Sequence, residues 1–173
     1  MGALAGPYAA AAVLLAVGGA LKLRRPGPTA NALGAVRLPA SVTFVRLFGA
    51  TEVVVAVGAL TRGHPVFALL VGLSYLAFAG FVLLALTRGG AVSSCGCFGE
   101  PDTPATPVHV VLDVAAAAVA LAVAAGGGSD WRAFLGDQPL GGAPFIALTA
   151  TCTYLGYVAL TVLPRTARRA HPA

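Results

Sequence analysis

The chain has 173 residues, of which 58% are hydrophobic and 10% charged, with a formal net charge of +5. Soluble domains carry about 25% charged residues, and a soluble protein of this size with so few charges would not cover its surface. That argues against the bland alternative, a compact Ala-rich soluble helical protein. The positive balance does not point to nucleic acid either. The bases cluster at the ends of apolar segments, where anionic lipid headgroups and membrane orientation account for them.

Five stretches are long enough to cross a bilayer, which takes roughly 20 residues of helix. In chain order they are Gly6 to Leu23, Ser41 to Leu60, Pro65 to Thr87, Pro107 to Ala125 and Gly142 to Leu163. The period-2 alternation of a membrane barrel is absent. The first stretch has no basic residues before it, Lys22 at its end, and Arg24 and Arg25 after it. That is the reverse of a cleaved signal peptide, so it is expected to stay as a span. The connection Arg24 to Ala40 is long enough for a short interfacial helix over Ala30 to Leu38. Thr61 to His64 is a tight turn. Arg88 to Thr106 holds two cysteines and then Pro101 and Pro104. Gly126 to Gly141 is a glycine and aspartate loop with Trp131 as an interfacial anchor. Gly49, Gly58, Gly72 and Gly80 are small residues that permit close helix contact. No repeat, coiled coil or soluble domain interrupts this pattern. The expected fold is all-α: one polytopic bundle over residues 1–173, with a four-helix core plus a fifth helix.

One face carries the first and third connections and the C-terminal tail, with Lys22, Arg24, Arg25, Arg37, Arg88, Arg165, Arg168 and Arg169; the other carries Arg62 and Arg132. The positive-inside rule puts the first face, called side one below, in the cytoplasm of a multi-pass cell-membrane protein.

Side one also carries the motif Ser94-Cys95-Gly96-Cys97-Phe98-Gly99-Glu100, with two of the three cysteines of the chain. One intervening glycine keeps the sulfurs close, and the small ring that a disulfide would close is strained and easily reduced. Such a pair can exchange with an external thiol partner. Paired thiolates also suit Cu(I), but neither a methionine nor a second Cys-x-Cys completes a site. Zinc needs two further ligands, and His109 is the one obvious candidate nearby.

Ionisable residues inside spans are costly and face the bundle interior. Measured from side one, Glu52 lies roughly 16 Å deep and Asp113 roughly 9 Å deep by helical rise. His109 precedes Asp113 by one turn on the same face. Lys22 ends the first span at side one, and Arg46 lies about one turn inside the second. Cys95, Cys97, Lys22, Glu52, His109 and Asp113 therefore share one mouth whichever way the bundle faces. A cationic neighbour raises thiolate content, and a histidine or carboxylate can carry the proton of thiol exchange. The structural alternatives are an ion pair of Glu52 with Lys22 or Arg46, and capping or interfacial solvation for His109 and Asp113. Cys152, near the middle of the last span, reads as a buried small hydrophobe. Tyr154 and Tyr157 read as packing residues, with a quinone pocket as the alternative.

These residues resemble the MauE family of redox-associated membrane proteins, related to DoxX. The resemblance rests on Arg88-Gly89-Gly90 followed by Cys95-Gly96-Cys97-Phe98-Gly99. It is supported by Gly18-Gly19-Ala20-Leu21-Lys22-Leu23-Arg24-Arg25-Pro26, by Leu38-Pro39 and by Glu52. It covers roughly residues 10 to 125. The family commonly has an Arg-Asn or Arg-Asp pair early in the helix after the motif, where this chain has Leu112-Asp113. The resemblance implies a thiol-redox role with a thioredoxin-like partner in maturing a disulfide-rich client, such as the small subunit of methylamine dehydrogenase. It further implies cysteines on the extracytoplasmic side, opposite to the charge count. The alternatives are a non-enzymatic assembly subunit or chaperone, and a Cys-x-Cys copper handler.

Overall fold

The computed structural model describes residues 2–87 and 106–162. Its helices are α1 (Ala5–Arg24), α2 (Pro26–Ala35), α3 (Val42–Thr61), α4 (Pro65–Thr87), α5 (Pro107–Ala125), α6 (Trp131–Gly136) and α7 (Ala143–Thr161), and the described residues contain no strand. Five of them, α1, α3, α4, α5 and α7, are long and apolar enough to cross a membrane. The fold is the all-α polytopic bundle the sequence leads to.

The helix ends follow local chemistry. Ser41 precedes α3 and its hydroxyl accepts the amide of Phe44 at 3.1 Å, satisfying one of the free N–H groups of a first turn. Pro65 and Pro107 open α4 and α5, where the missing amide N–H costs nothing. Gly63 ends the α3–α4 turn with φ +64°. Its carbonyl accepts the amide of Ser129 at 2.7 Å, and a side chain at Gly63 would run into the Ser129 backbone. The second and fourth connections are thus stitched together, and only glycine fits both the dihedral and the space.

Two helix pairs make the frame: α1 with α3, and α4 with α5. The shared core is built from small side chains, Ala11, Ala12, Ala56, Ala59, Ala68, Ala117 and Ala120, with Tyr8, Leu15, Val71 and Tyr75 among them. Lipid tails are as apolar as leucine, so helices associate here through close packing rather than hydrophobic exclusion. The large apolar side chains accordingly point outward, as at Leu47, Val54 and Val111. Of the glycines singled out in the spans, Gly49 faces α1, Gly58 faces the Phe67 ring and Gly72 faces Leu121, whereas Gly80 has nothing against it.

The connections differ from expectation in three places. The side-one helix α2 forms at Pro26–Ala35, four residues before the expected start, because Pro26 is a favourable first residue while Arg37 takes φ +58° and ends the run. Val36 then tucks against Ala85 of α4. The fourth connection is not a plain loop: Asp130 accepts the amide of Ala133 at 3.1 Å and nucleates α6. Trp131, expected from the sequence only as an interfacial anchor, also packs against the bundle. Its indole N–H donates to the carbonyl of Ala59 at 2.8 Å and its ring stacks on Tyr8 at 6.0 Å, so it caps the C-terminal turn of α3.

The fifth span, α7, leans on α1 and buries only Thr153, Leu160 and Thr161. Cys152 therefore faces outward at mid-helix. Its expected burial within the bundle does not hold, because α7 has neighbours on one face only.

Candidate functional site

α1 and α3 cross where Gly19 meets Gly49. A Cβ on Gly19 would lie 2.6 Å from the Gly49 carbonyl oxygen and 2.9 Å from the Glu52 Cβ; one on Gly49 would lie 2.7 Å from the Gly19 oxygen and 3.0 Å from the Lys22 Cβ. The two helices run antiparallel, so each glycine makes room for the charged residue of the other. Within that contact the Lys22 ammonium donates to both carboxylate oxygens of Glu52 at 2.9 Å. The pair is closed off, with side chains 3% and 1% exposed. The Phe78 ring lies 4.9 Å from Nζ and the Phe48 ring 5.7 Å, a cation–π setting for an ammonium out of water. Arg46, the other candidate partner, is exposed on the outside of α3.

His109 and Asp113 lie one turn apart near the start of α5, both buried. The His109 Nε2 lies 3.1 Å from the carbonyl oxygen of Leu160 on α7. A carbonyl only accepts, so Nε2 carries the hydrogen. Nδ1 faces the hydroxyl of Thr106, 2.8 Å away. His109 thus ties the first described residue after the cysteine-bearing connection to the end of α7. A cavity of about 30 Å³ brings the two sides together, its wall including Lys22, Tyr75, Phe78, His109, Asp113 and Leu160. Tyr75 closes one side of this region and donates to the carbonyl of Ala11 at 2.7 Å.

Four of the six residues singled out in the sequence, Lys22, Glu52, His109 and Asp113, are therefore drawn to one end of the bundle. It is the end where α4 stops and α5 begins. Cys95 and Cys97 lie outside the described residues. The residues that sequence reasoning missed are Thr106, Tyr75, Phe78 and the Leu160 carbonyl. Of these, Thr106 alone has a local signal, as a threonine just before the helix-opening Pro107. Gly19 and Gly49 were noted singly; the Gly19–Lys22 and Gly49–Glu52 spacing, one turn on each helix, is the pattern that joins them.

Tyr154 and Tyr157 line a separate apolar cavity of about 500 Å³ between α1, α6 and α7, with Trp131 and Phe145 at one end. Among the described residues no group of three or more His, Cys, Asp or Glu could hold a metal ion.

The profile of the family described as methylamine utilisation protein MauE matches residues 3–128. The chain belongs to that family, and the match covers the first four spans and ends before α6 and α7. No curated protein and no solved structure matches the chain.

Proposed function

We propose that this MauE-family membrane protein is a thiol–disulfide exchange component of the cell membrane. Cys95 and Cys97 react with a thioredoxin-like partner and serve the maturation of a disulfide-containing client such as methylamine dehydrogenase. The observation that carries the reading is the clustering of Lys22, Glu52, His109 and Asp113 at the end of the bundle from which the cysteine-bearing connection leaves. Buried ionisable groups in a membrane are expensive, and their cost is most often borne for function.

The step balances with the partner's disulfide as the two-electron oxidant. A thiolate of the pair attacks the partner's disulfide, one partner sulfur leaves as thiolate, and the second cysteine resolves the mixed disulfide. The two electrons pass from the cysteine pair to the partner. The two protons that leave Cys95 and Cys97 end on the partner's two thiols, so the site need only store a proton in transit. A histidine or carboxylate near the thiols suits that task. The exposed Arg24, Arg25, Arg37 and Arg46 give the same end a cationic rim, suited to anionic lipid headgroups.

The test is trapping. Cys97→Ser or Cys95→Ser in the full-length protein accumulates a mixed disulfide with a thioredoxin-fold protein. Absence of any adduct, with the client's disulfide state unchanged in the double-serine variant, refutes the reading. Labelling with a membrane-impermeant thiol reagent in intact cells reports which compartment the pair faces.

A second reading has one observation in its favour: the Lys22–Glu52 pair is closed within the α1–α3 contact, as a structural pair would be. It makes the protein an assembly subunit whose double-serine variant keeps full function.

A further inference from the structure

We propose that the apolar slot between α1 and α7 binds one acyl chain of a membrane phospholipid, drawn from the leaflet on the face that carries Arg62 and Arg132. The proposal is independent of the chemistry of the cysteine pair.

The slot arises where the fifth span leans on the first. The family match ends at residue 128, so α1 is a wall inside the matched region, while α6 and α7 are walls beyond it. On α1 the wall is the row Ala9, Val13 and Val17; on α7 it is Phe145, Thr149, Thr153 and Tyr157. Both rows repeat every four residues, the spacing of one helix face. Two such rows side by side make a straight groove rather than a round pocket.

The walls select hydrocarbon. About 500 Å³ lies within the usual range of ligand sites, roughly 300–1,000 Å³. Water needs two to four polar partners, and the polar groups of this wall are partly spent. The Trp131 N–H is held by the Ala59 carbonyl and the Thr153 hydroxyl by the Thr149 carbonyl. Compared with bulk lipid, the slot offers an apolar chain fixed walls on two sides, and so more lasting dispersion contacts.

Depth selects an acyl chain. The rows run roughly 18 Å along α7 and roughly 12 Å along α1 by helical rise. They begin at the membrane surface, since Phe145 lies in the first turn of α7, Leu60 in the last turn of α3 and Trp131 at the start of α6. One leaflet of a hydrocarbon core about 30 Å thick is about 15 Å deep. A single acyl chain lying along the spans matches that depth, whereas the long polyprenyl tail of a quinone outruns it. Entry is lateral. Ile146, Ala150 and Tyr154 form the outer lip of the slot, and all three are exposed.

Charge sets the direction of the chain. Arg62 follows the wall residue Leu60 by two positions, Arg132 directly follows Trp131, and both are exposed. Bases at that level attract the phosphate of a lipid headgroup. The acids of the same connection are Asp130, whose carboxylate accepts the Ala133 amide, and Asp137 at the other end of α6.

Photoactivatable phospholipids test this on the full-length protein in lipid nanodiscs. One probe carries a diazirine near the carboxyl end of an acyl chain and the other at its methyl end, and crosslinked residues are mapped by mass spectrometry. The first probe is expected on Trp131 and Phe145 and the second on Val17 and Tyr157. Leu148 and Leu155, exposed on α7 outside the slot, take little of either. Ala150→Trp places an indole in the slot and should abolish labelling there, and Arg62→Gln with Arg132→Gln should weaken it. Four outcomes overturn the proposal: equal labelling of the slot and of Leu148 and Leu155, the reverse order of the two probes, a folded Ala150→Trp that labels as before, or displacement of the probe by a quinone at a concentration where unlabelled phospholipid leaves it bound. The two probes and the competition use the unmutated protein, so the test survives a variant that fails to fold, and no readout depends on Cys95 or Cys97.

Discussion

Replacing Lys22 by methionine removes the ammonium and keeps most of the stem, which isolates the charge of the α1–α3 contact. Two N–H···O bonds of 2.9 Å vanish together, and Glu52 is left 2% exposed with its cation gone. Breaking a buried pair by removing one partner costs about 3–5 kcal/mol, equal to roughly two to three and a half orders of magnitude in the unfolding equilibrium. Adding Glu52→Leu takes away the stranded carboxylate. Well-packed apolar replacements of a buried pair are often neutral or stabilising; against that stands the lost Lys22–Phe78 contact, about 0.5–2 kcal/mol. The double variant should therefore lie within about 2 kcal/mol of the parent, and the coupling between the two sites should be at least about 3 kcal/mol. The assay is reversible unfolding in mixed detergent micelles, read by helix content, on the four proteins of the cycle. A Lys22→Met cost below about 1 kcal/mol, or additive single effects, would refute the picture of a closed pair. The same double variant separates structure from chemistry. If it folds and still forms the mixed disulfide proposed for Cys95 and Cys97, the pair is structural. If it folds and does not, the charges act in the reaction.

Four further outcomes are expected. Gly49→Ala places a Cβ 2.7 Å from the Gly19 oxygen, and the resulting overpacking should cost about 1–3 kcal/mol in the same unfolding assay. Trp131→Phe keeps the stacking on Tyr8 but strips the N–H from the Ala59 carbonyl; a loss of about 0.5–1.5 kcal/mol is expected, whereas Trp131→Ala should lose about 3–5 kcal/mol. Gly63→Ala has to adopt φ +64° against the Ser129 backbone and should destabilise by more than about 1 kcal/mol, seen as a lower unfolding midpoint. His109→Phe strands the Leu160 carbonyl for about 1–3 kcal/mol, and limited proteolysis should then release α7 before the rest of the bundle.

Much of the bundle was legible because membrane spans announce themselves by length and apolarity. The α4 helix is Pro65–Thr87, matching the expected third span, and α5 is Pro107–Ala125, matching the fourth. The neighbours of each span were less legible. An Ala-rich chain shows little amphipathic contrast, so its sequence does not say which faces meet, and Cys152 proved to be outward-facing. The site divides in the same way. Lys22, Glu52, His109 and Asp113 stood out because charge is rare in spans. Their pairing did not, since it depends on two glycines meeting across helices 30 residues apart in sequence. The capping role of Trp131 was not legible, because an indole suits a membrane interface and a helix C-terminus equally and only the tertiary contact with Ala59 reveals the second.

The Lys22–Glu52 pair also constrains biogenesis. Lys22 leaves the ribosome 30 residues ahead of its partner, about 1.5–6 s earlier at ordinary translation rates. Lying in the last turn of α1, its ammonium can stay among the headgroups while the chain grows. Glu52, in the middle of α3, has no such refuge. It can enter the hydrocarbon cheaply only against a cation already waiting, so the first two spans are best inserted as a charge-neutral hairpin. The order of the two residues along the chain, terminal base first and central acid second, is the order that spares either charge from meeting lipid alone.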